Sequence, residues 1–211
     1  MISRYVLAIV IITLSASALR AEAAGIDCAK PSSSADHMIC RDQSLLTRDA
    51  IMRDLYAAAL KQDAANGIQE RQRRWVKSLQ SCGDPACVQQ SYDAQISYLL
   101  TTKGGRSVSA NFLTKGDGGN EGDLTIFGPP DGLVAISLAS TYVGPGGADA
   151  GDVNADSVSG VVAVTKGHGR LTMDSCAIDF DRLNAKTWRV TQTGTCQFAD
   201  GVTMQGLYQR E

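Results

Sequence analysis

The sequence has few of the residues that most enzymes use for acid–base chemistry and metal binding. There are 2 histidines among 211 residues, His37 and His168, one in each half of the chain. No nucleophile elbow, zinc-protease helix, phosphate-binding loop or dinucleotide fingerprint occurs, and a serine or cysteine nucleophile needs a positioned base. We therefore expect no catalytic residue, no cofactor and no enzymatic activity.

Long apolar runs are missing after the first two dozen residues, so we predict no transmembrane segment in the mature chain. The start combines Arg4, an apolar stretch at 6–14, and small residues that lead to Ala21-Glu22-Ala23. This three-part pattern is typical of a cleaved secretory signal, which we assign to residues 1–23. An uncleaved anchor is the alternative, but the apolar run is shorter than the roughly 20 residues of a spanning helix. A periplasmic or secreted location follows.

All six cysteines follow the predicted signal, and they are Cys28, Cys40, Cys82, Cys87, Cys176 and Cys196. An even number in an exported chain predicts disulfides, because the compartment oxidises thiols. Zinc would need closely spaced thiols with further ligands. The only close pair is Cys82 and Cys87, which has no histidine nearby. We therefore predict three bridges and no metal site.

The pairing of the first four cysteines stays open at this stage. Cys28 could bridge Cys40 while Cys82 bridges Cys87, or the two pairs could be crossed, and sequence alone does not decide between these connectivities. The last two, Cys176 and Cys196, each share one face of a predicted strand region with apolar residues. We predict that they form the third bridge.

Composition divides the mature chain into a helix-forming half and a strand-forming half. The first half is rich in Ala, Leu, Gln and Arg, and the second in Gly, Thr, Val and Asp. We predict a helical domain at 26–102, a linker at 103–122 and a β domain at 123–211. The predicted fold class is α+β, with a disulfide-pinned helical hairpin or bundle followed by an antiparallel β-barrel or sandwich.

The charge balance also differs between the halves. Residues 25–103 hold 10 Lys and Arg against 9 Asp and Glu, whereas residues 104–211 hold 8 against 12. An acidic second half argues against nucleic acid as a partner, because phosphate binding needs a basic surface. It is compatible with a basic protein partner.

Periodicity locates the elements. The apolar spacing predicts a short helix that ends at Cys40, followed by three longer helices at about 45–60, 68–79 and 85–100. From Asp123 onward the period changes to two, and glycine-rich turns separate the predicted strands. The seven predicted strands lie at 124–127, 133–143, 158–165, 170–174, 177–180, 187–193 and 202–208.

The segment Asp152-Val153-Asn154-Ala155-Asp156 begins like a calcium-binding loop. The pattern then fails, because Ser157 stands where glycine should make the turn and Ala163 where a bidentate glutamate should close the site. We interpret the segment as a polar, flexible loop.

One set of motifs spans residues 27–100 and combines cysteine spacing with a Gln-Arg-x-Trp run and a later tyrosine. Its members are Asp27-Cys28-Ala29-Lys30, Ile39-Cys40, Leu45, Asp49, Leu55-Tyr56, Gln72-Arg73-Arg74-Trp75, Cys82-Gly83, Ala86-Cys87, Tyr92 and Ile96. Together they resemble the N-terminal domain of the LprI-type lysozyme inhibitors. The family has Glu before the Ile-Cys pair, where this chain reads Ala35-Asp36-His37-Met38. The resemblance implies a periplasmic or surface protein, in some members one that binds lysozyme.

A shorter motif lies in the β half, where Ser159-Gly160 is followed by Lys166-Gly167. It resembles the MliC/PliC-type lysozyme inhibitors, small β-barrels with a Ser-Gly and a later Lys-Gly motif, although the spacing is compressed and Ala163 replaces a tyrosine. In that family a serine and a lysine engage the lysozyme cleft, which holds two carboxylates. The resemblance implies that Ser159 and Lys166 bind the partner, and we add His168 from the same turn.

Two main hypotheses of function remain, and they differ in whether the protein inhibits lysozyme. The first is an exported inhibitor of a basic c-type lysozyme, which binds the cleft without catalysis. The alternative is a cell-envelope structural or interaction module without lysozyme activity, which uses the helical half to hold another protein. An enzyme that acts on wall glycan is a distant third.

Overall fold

The computed structural model describes residues 25–63, 67–115 and 119–211, so the predicted signal peptide at 1–23 lies outside it. The predicted α+β class is confirmed, because helices come first and an antiparallel sheet follows. The helices described are α1 (Ser34–Arg41), α2 (Gln43–Asp63), α3 (Ile68–Leu79), α4 (Pro85–Thr101) and α5 (Lys103–Ser107). The strands described are β1 (Ala110–Lys115), β2 (Asn120–Phe127), β3 (Gly132–Val143), β4 (Val153–Val164), β5 (His168–Met173), β6 (Cys176–Asn184), β7 (Thr187–Gly194) and β8 (Gly206–Arg210).

Local capping explains where two of the helices, α1 and α4, begin. At α1 the Ser33 hydroxyl accepts from the Asp36 amide, and the Asp36 carboxylate accepts from the Ser33 amide, which is a reciprocal capping box. At α4 the Asp84 side chain accepts from the Cys87 amide, and Pro85 occupies the first helical position, where no N–H is required. The predicted short helix before Cys40 and the three longer helices are all present, as α1 to α4.

The helices pack around one apolar core, in which α2 and α4 contribute the most buried side chains. Leu55, Ile96 and Leu99 are fully buried. The rings of Trp75 and Tyr92 meet edge to face with centroids 5.1 Å apart, an arrangement that aromatic pairs favour. The apolar stripes read from the sequence therefore face inward.

All three predicted disulfides are present, and the pairing is local. Cys28 bridges Cys40, Cys82 bridges Cys87, and Cys176 bridges Cys196. The crossed alternative for the first four cysteines is excluded. Disulfides of this kind are typical of chains that fold outside the reducing cytoplasm.

The strands form an eight-stranded, nearly closed, barrel-like antiparallel sheet in the order β4-β3-β2-β1-β8-β7-β6-β5. The two end strands meet at a seam that side chains fill: Gly160 leaves room for Leu171, and Gly169 lies against Val162. Apolar side chains fill the interior, and the fully buried ones include Leu124, Ile136, Leu138, Ile178, Phe180, Met204 and Tyr208.

The range predicted as a linker, 103–122, instead contains α5, β1 and the start of β2. Gly104 and Gly105, read from the sequence as flexible, are buried, and a Cβ on either would collide with the backbone of Ala58 or Leu99. The Gly104 amide also donates to the Asp63 carboxylate at 2.7 Å. Both glycines allow α5 to pack closely against α2 and α4. Composition alone does not distinguish such packing glycines from the glycines of a flexible linker.

The predicted polar loop at 152–156 is also corrected, because β4 begins at Val153. The polar side chains of this segment form hydrogen bonds with the backbone of nearby segments. The Asp152 carboxylate accepts from the Gly146 amide, the Asn154 amide donates to the Asp200 carbonyl, and the Asp156 carboxylate accepts from the Ala199 amide. These contacts account for the alternating oxygen side chains without a cation.

The last strand, β8, begins at Gly206, whereas the sequence pattern predicted a strand from 202. Val202 and Met204 are buried in the barrel, which explains the alternating pattern. The amides of Thr203, Met204 and Gln205 are nevertheless satisfied by side-chain oxygens instead of a neighbouring strand: the Gln192 carbonyl oxygen accepts from Met204 and Gln205, and Asn120 from Thr203.

The helical core and the barrel share one boundary, where α4 lies on the outer face of β3 and β4. Ala135 of β3 is fully buried in the helical core, and Leu133 and Val161 pack against the same core. The Arg106 guanidinium of α5 donates to both carboxylate oxygens of Asp123 on β2, at 3.1 and 2.5 Å. This bidentate pair connects the two halves.

No helix within the described ranges is long and apolar enough to cross a membrane.

Candidate partner-binding hairpin

The turn between β4 and β5 is a tight two-residue hairpin turn. Thr165 and His168 exchange both backbone hydrogen bonds, at 2.8 and 3.0 Å. The residues between them, Lys166 and Gly167, have φ angles of 52° and 77°. Positive φ at both central residues matches the type I′ turns that fit the twist of antiparallel strands. A lysine in this region costs roughly 1–2 kcal/mol of backbone strain.

Three contacts from the rest of the barrel hold the turn in place. The Gly167 amide donates to the Asp131 carboxylate at 2.9 Å, and the Gly167 carbonyl accepts from the Arg182 amide at 2.7 Å. The guanidinium of Arg182 lies 3.9 Å from the same Asp131 carboxylate. Asp131 therefore fixes the turn from the β2–β3 connection and Arg182 fixes it from β6.

The Lys166 side chain projects from this fixed turn into solvent. Among the described residues, no ion pair or hydrogen bond engages its amine. A charged side chain with a fixed backbone and no internal partner needs little rearrangement to meet an anion. Because the backbone of the turn is already fixed, less conformational entropy is lost when a partner binds.

His168 lies directly opposite Asp181 in the β5–β6 ladder, and its Nδ1 is 2.8 Å from an Asp181 carboxylate oxygen. Its Nε2 is 3.8 Å from Oδ1 of Asp179, and the imidazole side chain is 55% exposed. The two carboxylates orient the ring on the outer surface of the barrel, beside Lys166.

Arg170 lies opposite Asp179 in the same ladder, with Nη1 3.4 Å from Oδ1. That oxygen is buried and accepts no hydrogen bond in good geometry, so its contacts with Arg170 and His168 are electrostatic. Together, His168, Arg170, Asp179 and Asp181 form a charged outer face next to the turn. Asp179 is nearly buried under Arg170 and His168, whereas the Asp181 side chain is 40% exposed.

Ser159 does not join this group. It is exposed on the outer face of β4, where it pairs with Ser137 of β3. It lies five positions before Val164 at the end of β4, which corresponds to roughly 16 Å at about 3.3 Å per residue. The structure therefore brings Lys166 and His168 together and leaves Ser159 along the strand.

Sequence reasoning missed four charged residues around the turn, Asp131, Asp179, Asp181 and Arg182. Asp131 follows two prolines and looks like an ordinary turn residue, although it holds Gly167. Asp179 and Asp181 alternate with Ile178 and Phe180 in β6, a pattern that predicts an outward face. Their position opposite Arg170 and His168 depends on the register of the β5–β6 hairpin, which the two-residue turn at 174–175 sets.

The residues that carry the resemblance in the helical half form buried polar contacts. The Asp49 carboxylate accepts from the Tyr92 hydroxyl and the Ile26 amide, and Gln72 accepts from Gln95 at 2.8 Å. The indole N–H of Trp75 donates to the Ser91 carbonyl at 3.0 Å. These side chains stabilise the helical packing. They are therefore evidence for the fold more than for a binding surface.

Burial raises the pKa of Asp49, against the opposing effects of the hydrogen bonds from Ile26 and Tyr92 and the charge of Arg53. Asp36 behaves in the opposite sense. Burial alone would raise its pKa, but hydrogen bonds from Ser32 and Ser33 outweigh it and lower the pKa. Both groups lie in the helical half and are structural.

Comparisons with known proteins add no identity: no family model, curated protein or solved structure matches the chain. Within the described ranges, no group of three or more His, Cys, Asp and Glu is arranged to hold a metal ion.

Proposed function

We propose that the chain is an exported binding protein that inhibits a basic c-type lysozyme, with Lys166 as the residue that enters the cleft. The observation that carries this proposal is the fixed, solvent-exposed Lys166 at the β4–β5 turn. The cleft of such an enzyme holds two carboxylates, and an ammonium group held on a rigid turn pairs with them at low entropy cost.

The charge of the β half supports a basic partner. Residues 104–211 hold 8 Lys and Arg against 12 Asp and Glu, and the exposed Asp181 carboxylate lies on the outer surface next to the turn. An acidic surface attracts a basic protein over a distance and raises the association rate. Lys166 then supplies the one cation needed inside the cleft, and His168 lies at the rim of the contact.

The experiment is a lysis assay, in which a basic c-type lysozyme degrades bacterial walls in the presence of the purified protein. We expect micromolar protein to slow lysis. Lys166→Ala should raise the inhibition constant at least tenfold, because truncating one partner of a buried charge pair is costly. His168→Ala and Ser159→Ala should have smaller effects, in that order.

Lys186→Ala is the matched control, because Lys186 is an exposed lysine on another turn of the same barrel. It removes the same charge at a different place and should leave inhibition unchanged. Equal loss in both variants would contradict a specific role for Lys166. Absence of inhibition by the wild-type protein would favour the alternative of an envelope interaction module without lysozyme activity.

A further inference from the structure

A second surface feature lies in the helical half, on the side formed by α3 and α4. An open surface groove of about 380 Å³ lies between these two helices, within the lower range of small-molecule sites in volume. Arg71, Arg74 and Ser78 line it from α3, and Ser91 and Gln95 line it from α4. Trp75, which is nearly buried, forms its floor.

The groove is held rigidly. The Cys82–Cys87 bridge closes the turn between α3 and α4, and the indole N–H of Trp75 donates to the Ser91 carbonyl across them. The guanidinium carbon of Arg71 lies 3.6 Å from the centre of the Tyr98 ring. Stacking of this kind orients the guanidinium plane while its edge N–H groups remain available to an anion.

Charge in the groove is strongly one-sided. Helix α3 carries four basic side chains and one acidic side chain, Glu70. The only charged residue of α4 is Asp93, and it pairs with Arg48 of α2 at 2.7 Å. Glu70 contacts Arg73 and Arg74 at 3.4 and 3.2 Å, but these are exposed pairs of small net stability. Among the described residues, no carboxylate pairs with Arg71.

We propose that this groove binds a saccharide that carries an anionic group, a carboxylate or a phosphate. Arg71 and Arg74 would bind the anion through charge-assisted hydrogen bonds. Ser91 lines the opposite wall, where its hydroxyl can exchange a hydrogen bond with a sugar hydroxyl, whereas the buried Gln95 carboxamide donates to Gln72 behind that wall. Volume, hydroxyl-bearing walls and paired guanidiniums favour an acidic sugar over an acidic peptide. The site is separate from the β4–β5 turn and does not depend on lysozyme inhibition.

The test is a titration of the full, disulfide-bonded protein, followed by amide and indole NMR signals at near-physiological salt. N-acetylmuramic acid supplies a carboxylate and glucose 6-phosphate a phosphate, and neutral N-acetylglucosamine is the control sugar. We expect saturable shifts at α3, α4 and the Trp75 indole N–H with at least one acidic sugar. The neutral sugar should bind at least tenfold more weakly. Equal binding of the neutral sugar, or no binding of either acidic sugar, would overturn the proposal.

Two double variants remove equal charge from the same helix. Arg71→Gln with Arg74→Gln should weaken acidic-sugar binding at least tenfold, whereas Arg73→Gln with Lys77→Gln, outside the groove, should change it less than twofold. Equal loss in both variants would show diffuse attraction to a basic helix and contradict the site. Tighter binding of an acidic dipeptide than of either acidic sugar would also contradict it.

Discussion

The carboxylate of Asp49 on α2 accepts a hydrogen bond from the hydroxyl of Tyr92 on α4, with 2.9 Å between the two oxygens. The other carboxylate oxygen accepts from the Ile26 amide at 3.1 Å. One nearly buried acid therefore connects the first described residues to the two main helices of the core. The contact joins two residues that are 43 positions apart in the sequence.

Asp49→Asn is expected to stabilise the fold at neutral pH relative to wild type. Burial raises the folded-state pKa of Asp49 above 3.8. The wild type therefore loses stability as the pH rises from near 3.8 through that raised pKa. Asparagine removes this dependence because its carboxamide does not ionise. Its oxygen can still accept from the Ile26 amide, and its amide can donate to the Tyr92 hydroxyl.

Urea unfolding of both proteins at several pH values measures this effect. The advantage of the asparagine variant should grow with pH, and an advantage that shrinks with rising pH would be inconsistent with the raised pKa. Asp49→Ala serves as a control, because it leaves the Tyr92 and Ile26 donors unpaired. It should cost about 1–3 kcal/mol at neutral pH.

Gly104→Ala should destabilise the protein by about 1–3 kcal/mol, because the new methyl group would collide with the Ala58 backbone. Gly83→Ala is the matched control, since a Cβ at Gly83 meets nothing within 4 Å. Thermal unfolding of the two variants compares them directly. Equal stability would mean that 103–107 behaves as the linker predicted from composition.

The disulfides should contribute unequally to stability. The loop between Cys176 and Cys196 spans 20 residues and that between Cys82 and Cys87 spans 5. On the chain-entropy model, these correspond to about 3 and about 2 kcal/mol. Double alanine variants of each pair, unfolded in urea, test the order, and a larger cost for the shorter loop would contradict it.

Asp131→Ala should weaken lysozyme inhibition although it leaves Lys166 in place. The change removes the acceptor of the Gly167 amide, so the turn loses one of its anchors and binding must then order the lysine. We expect a three- to tenfold rise in the inhibition constant, with Asp149→Ala as the control for loss of one acidic charge. Unchanged inhibition by Asp131→Ala would argue that the rigidity of the turn is unimportant.

Much of the fold could be predicted from local signals, because capping residues and apolar periodicity act over a few positions. The sequence predicted a short helix that ends at Cys40 and a longer one at about 85–100, and the structure confirms both. The pairing of Cys176 with Cys196 followed from shared strand faces. The failures at 103–122 and 152–156 have a common cause: glycine and aspartate look like loop residues, although contacts with distant segments decide their structure.

The candidate site could be predicted only in part. The turn at Lys166-Gly167 has a local signature, so its position was predictable. The Asp131 contact joins segments 36 positions apart, and the His168–Asp181 contact depends on strand register. Ser159 was included through resemblance alone, and its distance from the turn follows from the extended strand between 159 and 164, which the predicted strand at 158–165 already contained.

The most direct test of the proposed function is competition for the lysozyme cleft. Binding of the wild-type protein to a basic c-type lysozyme is measured by calorimetry, with and without a saturating oligosaccharide that fills the cleft. If Lys166 enters the cleft, the apparent Kd should rise linearly with the oligosaccharide concentration, as competition for one site requires. Unchanged affinity in the presence of the sugar, or no binding at micromolar protein, would contradict the proposal.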